Sequence, residues 1–273
     1  MQGQGRAVSP GSVGGQAGPT ADVAEVFSTI QGEGLLVGTR QVFCRFYGCD
    51  LDCMYCDTPA SRMQTGRCVV ERTPGARDFE QRDNPFTPER LLDLVLHFDE
   101  PPGLHHSVAL TGGEPLERAD FLVAFAPLLR QRGVRTYLET NGVLPEALQR
   151  TIDGFDIIAM DVKLPSAIGR DVFAASREFL RIAQQHARQT DRPDVFVKVV
   201  LTAEAGNAEL VRAFETVAGV DRRIPVVLQP VTPAGAVKQP PAPVRVLEVF
   251  DLARGILNEV RVIPQVHRLM QQL

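Results

Sequence analysis

The sequence predicts an α/β fold, an open and partial parallel β/α barrel of about six strands. From Asp22 onward, short apolar runs alternate with amphipathic stretches of helical period, the pattern of repeated strand–helix units around a parallel sheet. The polar motifs fall at the carboxyl ends of the apolar runs, where such folds keep their chemistry. No internal repeat divides the chain, so one core domain over residues 21–273 is expected.

The expected strands are Gln41 to Phe46, Ser107 to Leu110, Arg135 to Glu139, Ile157 to Asp161, Val195 to Leu201, Pro225 to Leu228 and Val260 to Ile263. Helices are expected over Pro88 to Phe98, Ala119 to Gln131, Pro145 to Thr151, Asp171 to Gln189, Ala208 to Ala218 and Pro243 to Leu257. In the first helix Leu91, Leu92, Val95, Leu96 and Phe98 form an apolar stripe, and Thr87 followed by Pro88 suits an N-cap and first turn. Residues 1–20, rich in Gly, Gln, Ser and Pro, bury too little apolar surface to offset ordering and read as a disordered leader. Residues 62–85 are charged and without period, and Ala234 to Pro243 is rich in Pro and Ala. Both read as surface insertions.

A formal net charge of −4 gives no general field for phosphate backbones, so nucleic-acid binding is not expected. The longest uncharged run, Ile224 to Val237, is interrupted by Pro225, Pro230 and Pro233 and is too short for a membrane span, so no membrane association is expected. The first residues lack the apolar core of a secretory signal, and the expected location is cytoplasmic, where thiols stay reduced.

Five cysteines, three of them Cys49, Cys53 and Cys56, are poor disulfide arithmetic and good metal arithmetic. Three thiolates hold three irons of a 4Fe–4S cluster and leave one iron open to an outside ligand. S-adenosylmethionine can fill that position through its amino and carboxylate groups, which puts its sulfonium beside a one-electron donor. The competing reading is a structural zinc site, which would have to recruit Cys44, Cys68 or a histidine. His97, His105, His106 and His186 have no ligand spacing and read as surface or core.

The loop G-C-D-L-D-C-M-Y-C-D-T resembles the signature of the radical S-adenosylmethionine superfamily. Within it, Phe27 to Gly34 (F-S-T-I-Q-G-E-G), Phe43-Cys44-Arg45 and Cys56-Asp57-Thr58 resemble the 7-carboxy-7-deazaguanine synthase family. The resemblance implies conversion of 6-carboxy-5,6,7,8-tetrahydropterin to 7-carboxy-7-deazaguanine and ammonia, in 7-deazapurine (queuosine-type) biosynthesis. It also implies Cys49, Cys53 and Cys56 as cluster ligands in radical generation, with S-adenosylmethionine as a regenerated cofactor. For that cofactor it implies Tyr55, Cys56, Asp57, Gly113 and Glu114, then Glu139, then the Asp161-Val162-Lys163 turn, then Gln229-Pro230-Val231-Thr232.

For the pterin it implies Ile30, Gln31, Gly32, Glu33, Arg45, Thr111 and His267. On a strand Phe43 and Arg45 share one face and Cys44 takes the other, so Cys44 is a poor cluster ligand and Arg45 can fork onto a carboxylate. The bland alternative for Arg45 is an ion pair with Glu33 or Glu139. Thr58 matches the family's magnesium ligand, against the alternative of a helix cap; no carboxylate cluster able to hold the ion alone is evident in the sequence. The resemblance further implies a flavodoxin- or ferredoxin-type electron donor, with a homodimer as a candidate assembly. Two other functions compete: a glycyl-radical activating enzyme, which lacks the Gln-Gly-Glu-Gly turn coupled to Arg45, and a non-catalytic iron–sulfur or zinc module.

Overall fold

A computed structural model describes residues 18–273, so residues 1–17 of the expected leader lie outside the described residues, and 18–20 are exposed and irregular. The strands are β1 (Val23–Ile30), β2 (Arg40–Phe46), β3 (Arg67–Glu71), β4 (Phe79–Asp83), β5 (Ser107–Gly112), β6 (Thr136–Thr140), β7 (Ile157–Asp161), β8 (Asp194–Leu201), β9 (Val226–Pro230) and β10 (Val260–Val262). They form a ten-stranded sheet in the order β10-β9-β8-β7-β6-β5-β2-β1-β3-β4. Every pairing from β2 to β10 along that order is parallel. Those seven strands are the seven expected from apolar runs.

The remaining three strands extend the sheet beyond the expectation. β1 runs antiparallel to β2; Glu25, Ser28 and Thr29 dilute its apolar pattern. The charged segment near 62–85 contains β3 and β4, an antiparallel pair that joins the sheet through parallel pairing of β3 with β1. An edge strand is covered on few sides and carries charge against stray pairing, which is why β4, F-E-Q-R-D, shows no periodic burial. Cys68, without a role in the sequence reading, lies fully buried in the core on β3.

The helices are α1 (Pro88–Phe98), α2 (Ala119–Gln131), α3 (Pro145–Thr151), α4 (Pro165–Ile168), α5 (Phe173–Thr190), α6 (Asn207–Ala218), α7 (Pro243–Arg254) and α8 (Val266–Leu269). The Thr87 hydroxyl caps α1 by accepting from the Arg90 N–H at 3.3 Å. Asp171, expected as the start of α5, instead accepts from the Phe173 N–H at 3.0 Å and stands outside the helix. The four-residue helices α4 and α8 are too short to show a helical period in sequence. Among the described residues no helix is long and apolar enough to cross a membrane.

The main core lies between the sheet and its helices, with Phe46, Phe98, Phe121, Phe125, Phe179 and Phe214 fully buried in it. Truncating one of these to Ala would cost about 3–5 kcal/mol. A second cluster gathers Phe27, Phe43, Ala109, Tyr137, Ile157, Ala159, Phe196 and Val227, from β1, β2 and β5 through β9. Side chains from seven strands meet on one face only if the sheet curls. The small Ala109 and Ala159 leave room for Tyr137, Phe196 and the stacked Phe27–Phe43 pair (5.4 Å between centroids).

Candidate active site

Above this inner cluster, at the carboxyl ends of the parallel strands, lies a cavity of about 570 Å³. Cys49, Cys53 and Cys56 all line it, and all three are free and partly exposed. Their loop is tied down on several sides. The Cys56 N–H donates to the Cys53 carbonyl (3.0 Å), the Met54 N–H to the Ala167 carbonyl (3.0 Å), and Ala236 donates to Met54 (2.8 Å). Asp50 accepts from the Asn141 amide (2.8 Å) and from Arg170 (3.0 Å). Cys44 and Cys68 sit in the main core and do not line the cavity. A closed four-cysteine zinc site is therefore not formed, and the three-thiol set keeps the vacancy that an iron–sulfur cluster with an outside ligand requires.

Burial pushes the Cys49 thiol up to about 11, with the Glu114 and Asp50 carboxylates adding to the effect against an opposing backbone N–H from Leu51. Such a thiol becomes a thiolate only with a metal to stabilise it. The loop packs against the β5 strand end with no space for a side chain: a Cβ on Gly113 would lie 1.6 Å from the Gly48 carbonyl oxygen. Gly113 and Glu114 donate backbone N–H groups to Phe46 (3.0 Å) and Gly48 (2.7 Å).

The expected cofactor residues divide into a wall and its backing. Tyr55, Asp57, Gly113, Glu139, Asp161, Lys163, Gln229, Val231 and Thr232 line the cavity. Glu114, Val162 and Pro230 stand behind the wall instead. Glu114 is fully buried, accepting from the Leu116 and Asn141 N–H groups and the Thr140 hydroxyl. Burial nonetheless raises its carboxyl to about 7. Val162 is held by its N–H to the Lys198 carbonyl (2.9 Å), and Pro230 continues β9. The Lys163 ammonium lies 2.6 Å from Asp161 and 5.4 Å from the Tyr55 ring centroid. The buried Gln229 Oε1 has no hydrogen-bond partner, and Asp161 Oδ1 has only the Lys198 ammonium, 3.4 Å away and outside hydrogen-bond geometry. An unsatisfied acceptor in a cavity wall fits a ligand rich in donors, as the hydroxyl and amino groups of S-adenosylmethionine are.

The expected pterin residues all line the same cavity. Gln31 donates to Gln41 (2.9 Å) and Glu139 (3.0 Å) and accepts from the Glu33 N–H (2.9 Å). Thr111 donates to Glu139 at 2.6 Å. Burial alone would raise the Glu33 carboxyl, but Lys198 at 2.6 Å and Gln265 at 2.7 Å outweigh it and hold it at about 2. Arg45 pairs with neither Glu33 nor Glu139 but with Glu25, at 2.8 Å, and its guanidinium lies 5.8 Å from the Phe27 ring centroid. Glu25 is 44% exposed, and an ion pair this wet is worth about 0–1 kcal/mol, so a substrate carboxylate can displace it.

Thr58 precedes a single 3-10 turn, Pro59–Arg62, yet its side chain caps nothing. Its hydroxyl lies 4.0 Å from Cys56 Sγ on the cavity wall. Folding also gathers two carboxylates and an imidazole that the sequence did not link: ligand atoms of Glu33, Asp57 and His267 lie within 4.8 Å of one another. Folding joins residues more than 200 positions apart, which spacing could not reveal.

Sequence reasoning missed Lys198, Gln265 and Phe79, all of which line the cavity. Lys198 had a signal, as the one charge inside the apolar run V-F-V-K-V-V-L of β8. Gln265 donates to both Glu33 and Asp57 (3.0 Å). Phe79 belongs to the edge strand β4.

The fold and the three-cysteine site define a radical S-adenosylmethionine enzyme, and the profile of the radical SAM superfamily matches residues 44–201. The 7-carboxy-7-deazaguanine synthase of Geobacter sulfurreducens is 47% identical over 93% of this chain and 99% of its own length. That of Methanopyrus kandleri is 34% identical over 94% of this chain and 97% of its own. The crystal structure of QueE from Escherichia coli superposes with a TM-score of 0.53 at 18% identity, covering 91% of this chain and 95% of that one, a likeness of fold. The chain belongs to the 7-carboxy-7-deazaguanine synthase family of the radical SAM superfamily.

Proposed function

We propose that this enzyme converts 6-carboxy-5,6,7,8-tetrahydropterin to 7-carboxy-7-deazaguanine and ammonia. One observation carries the reading: the three free cysteines open onto the same cavity as the Gln31–Glu33 turn and Arg45. Cys49, Cys53 and Cys56 would hold the cluster, which together with S-adenosylmethionine would supply the radical chemistry for removing hydrogen from the pterin C6. Lys163, Gln229 and Glu139 hold the cofactor, and the Gln31 amide meets the pterin's polar edge. Arg45 forks onto the pterin carboxylate in place of Glu25. Thr58 gives one hydroxyl to a magnesium ion whose other ligands are water and substrate oxygens, in keeping with the ion's reluctance to shed water. A flavodoxin- or ferredoxin-type protein supplies the electron, in the cytoplasm.

The test is anaerobic incubation of the reconstituted enzyme with the carboxypterin, S-adenosylmethionine and a reductant. The expected products are 7-carboxy-7-deazaguanine by mass and an equal amount of ammonia. Cofactor cleavage without either product would refute the substrate assignment.

A further inference from the structure

Lys198 lies on β8, third in the sheet from the β10 edge, with Phe196 and Val200 on the same concave face, and is buried. Its register partner across the sheet is Asp161. Its ammonium is 2.6 Å from Glu33 and 3.4 Å from Asp161. The chain of contacts continues in both directions. Asp161 holds Lys163 at 2.6 Å, and Glu33 accepts from Gln265 at 2.7 Å, which reaches Asp57 at 3.0 Å. One line of polar groups thus joins the Asp161–Lys163 turn, the Gln31–Glu33 turn and the residue that follows Cys56.

Lys198 is a costly way to stabilise a barrel. Burying an ion pair costs desolvation that well-packed apolar side chains avoid, and both neighbours on this face of β8 are apolar. Its two carboxylate partners belong to different turns, Asp161 to the cofactor turn and Glu33 to the pterin turn, and it bridges the two. A cofactor carboxylate that draws Lys163 away from Asp161 leaves Asp161 to Lys198. The position the ammonium then takes sets where Glu33 faces the substrate. The two sites share one cation, and shared partners are the physical basis of coupled binding.

We propose that Lys198 is a positioning residue that couples cofactor binding to pterin binding by bridging Asp161 and Glu33. The inference rests on the substrate and cofactor reading above. The test is anaerobic calorimetry on the cluster-loaded enzyme without reductant, titrating the carboxypterin with and without saturating S-adenosylmethionine. For the wild type the cofactor should tighten pterin binding by about tenfold. In Lys198→Gln the two affinities should agree within about twofold, while Lys198→Arg, which keeps the charge, should retain most of the tightening. If Lys198→Gln does not accumulate with its cluster, Glu33→Gln/Lys198→Gln, with no buried charge left unpaired between the two, carries the same expectation. A neutral variant that keeps the wild-type ratio overturns the coupling role, as does a wild type that binds both ligands independently. A wild type that binds no pterin refutes the substrate reading, and the inference with it.

Discussion

The His267 ring occupies the space that any side chain at Gly32 would fill: a Cβ there would lie 2.1 Å from the imidazole Nδ1. Val266 fixes this contact by donating its N–H to the Gly32 carbonyl at 2.8 Å. The helix α8 therefore docks on the Gln31–Glu33 turn and carries His267 and Gln265 into the cavity wall. Gly32→Ala should expel the imidazole and disturb the turn. Pterin turnover should fall about tenfold or more, as expected when binding groups lose their placement, with the cluster's visible spectrum unchanged. Wild-type kinetics from Gly32→Ala would show that the docked histidine is idle.

Cys44 and Cys68 are core residues, and burial drives both thiols upward, that of Cys68 to about 12. Replacing either with Ala should lower stability by about 1 kcal/mol and leave iron and sulfide content intact. Replacing Cys49, Cys53 or Cys56 should abolish the cluster. Iron and sulfide assays on the five purified variants check this, and loss of cluster from Cys44→Ala or Cys68→Ala would break the three-ligand assignment.

The magnesium ion proposed above has two candidate holders, the Thr58 hydroxyl assisted by substrate, and Asp57 grouped with Glu33 and His267. In the second, Gln265 already donates to both carboxylates, which argues for the first. Thr58→Ala should erase most of the magnesium stimulation of turnover, and Thr58→Ser should keep much of it. Product formation against magnesium concentration decides. A full magnesium response in Thr58→Ala, lost in Asp57→Asn, would move the ion to the cluster.

Away from the cavity, His105 joins the loop before β5 to β1, with Nε2 2.7 Å from the Ser28 hydroxyl and Nδ1 3.2 Å from Asp99. Burial lowers its pKa despite the Asp99 partner. A histidine held neutral in the folded state contributes stability above its ordinary value of about 6.5, and this is lost as pH falls through and below that value. The melting temperature of the holoenzyme should therefore drop on going from about pH 7.5 to about pH 5.5, and drop less in His105→Gln. Equal drops in the two proteins would assign the pH dependence elsewhere.

Legibility in the sequence followed chain distance and burial. The seven parallel strands are buried between inner cluster and helices, so their apolar runs stood out, as did the local cysteine loop and the Gln31–Glu33 turn. β1 and the β3–β4 pair were hidden: β1 by Glu25, Ser28 and Thr29, β4 by the charge an edge strand carries, and β3 because Arg67 and Glu71 enclose so short an apolar stretch. The sequence marked Arg45 as facing the cavity but could not name Glu25 as its partner, because pairing across β1 and β2 depends on a register interrupted near Val23 and Glu25. Gln265 and the Glu33–Asp57–His267 grouping were illegible because only tertiary folding brings them together.

The proposed reaction requires hydrogen removal from the pterin C6 within the one cavity that the cysteine loop lines. Carboxypterin deuterated at C6 tests it most directly, with the recovered S-adenosylmethionine and 5′-deoxyadenosine analysed by mass. Deuterium is expected at the 5′ carbon of the recovered cofactor alongside 7-carboxy-7-deazaguanine. Product that forms while the 5′ carbon stays free of deuterium would contradict it.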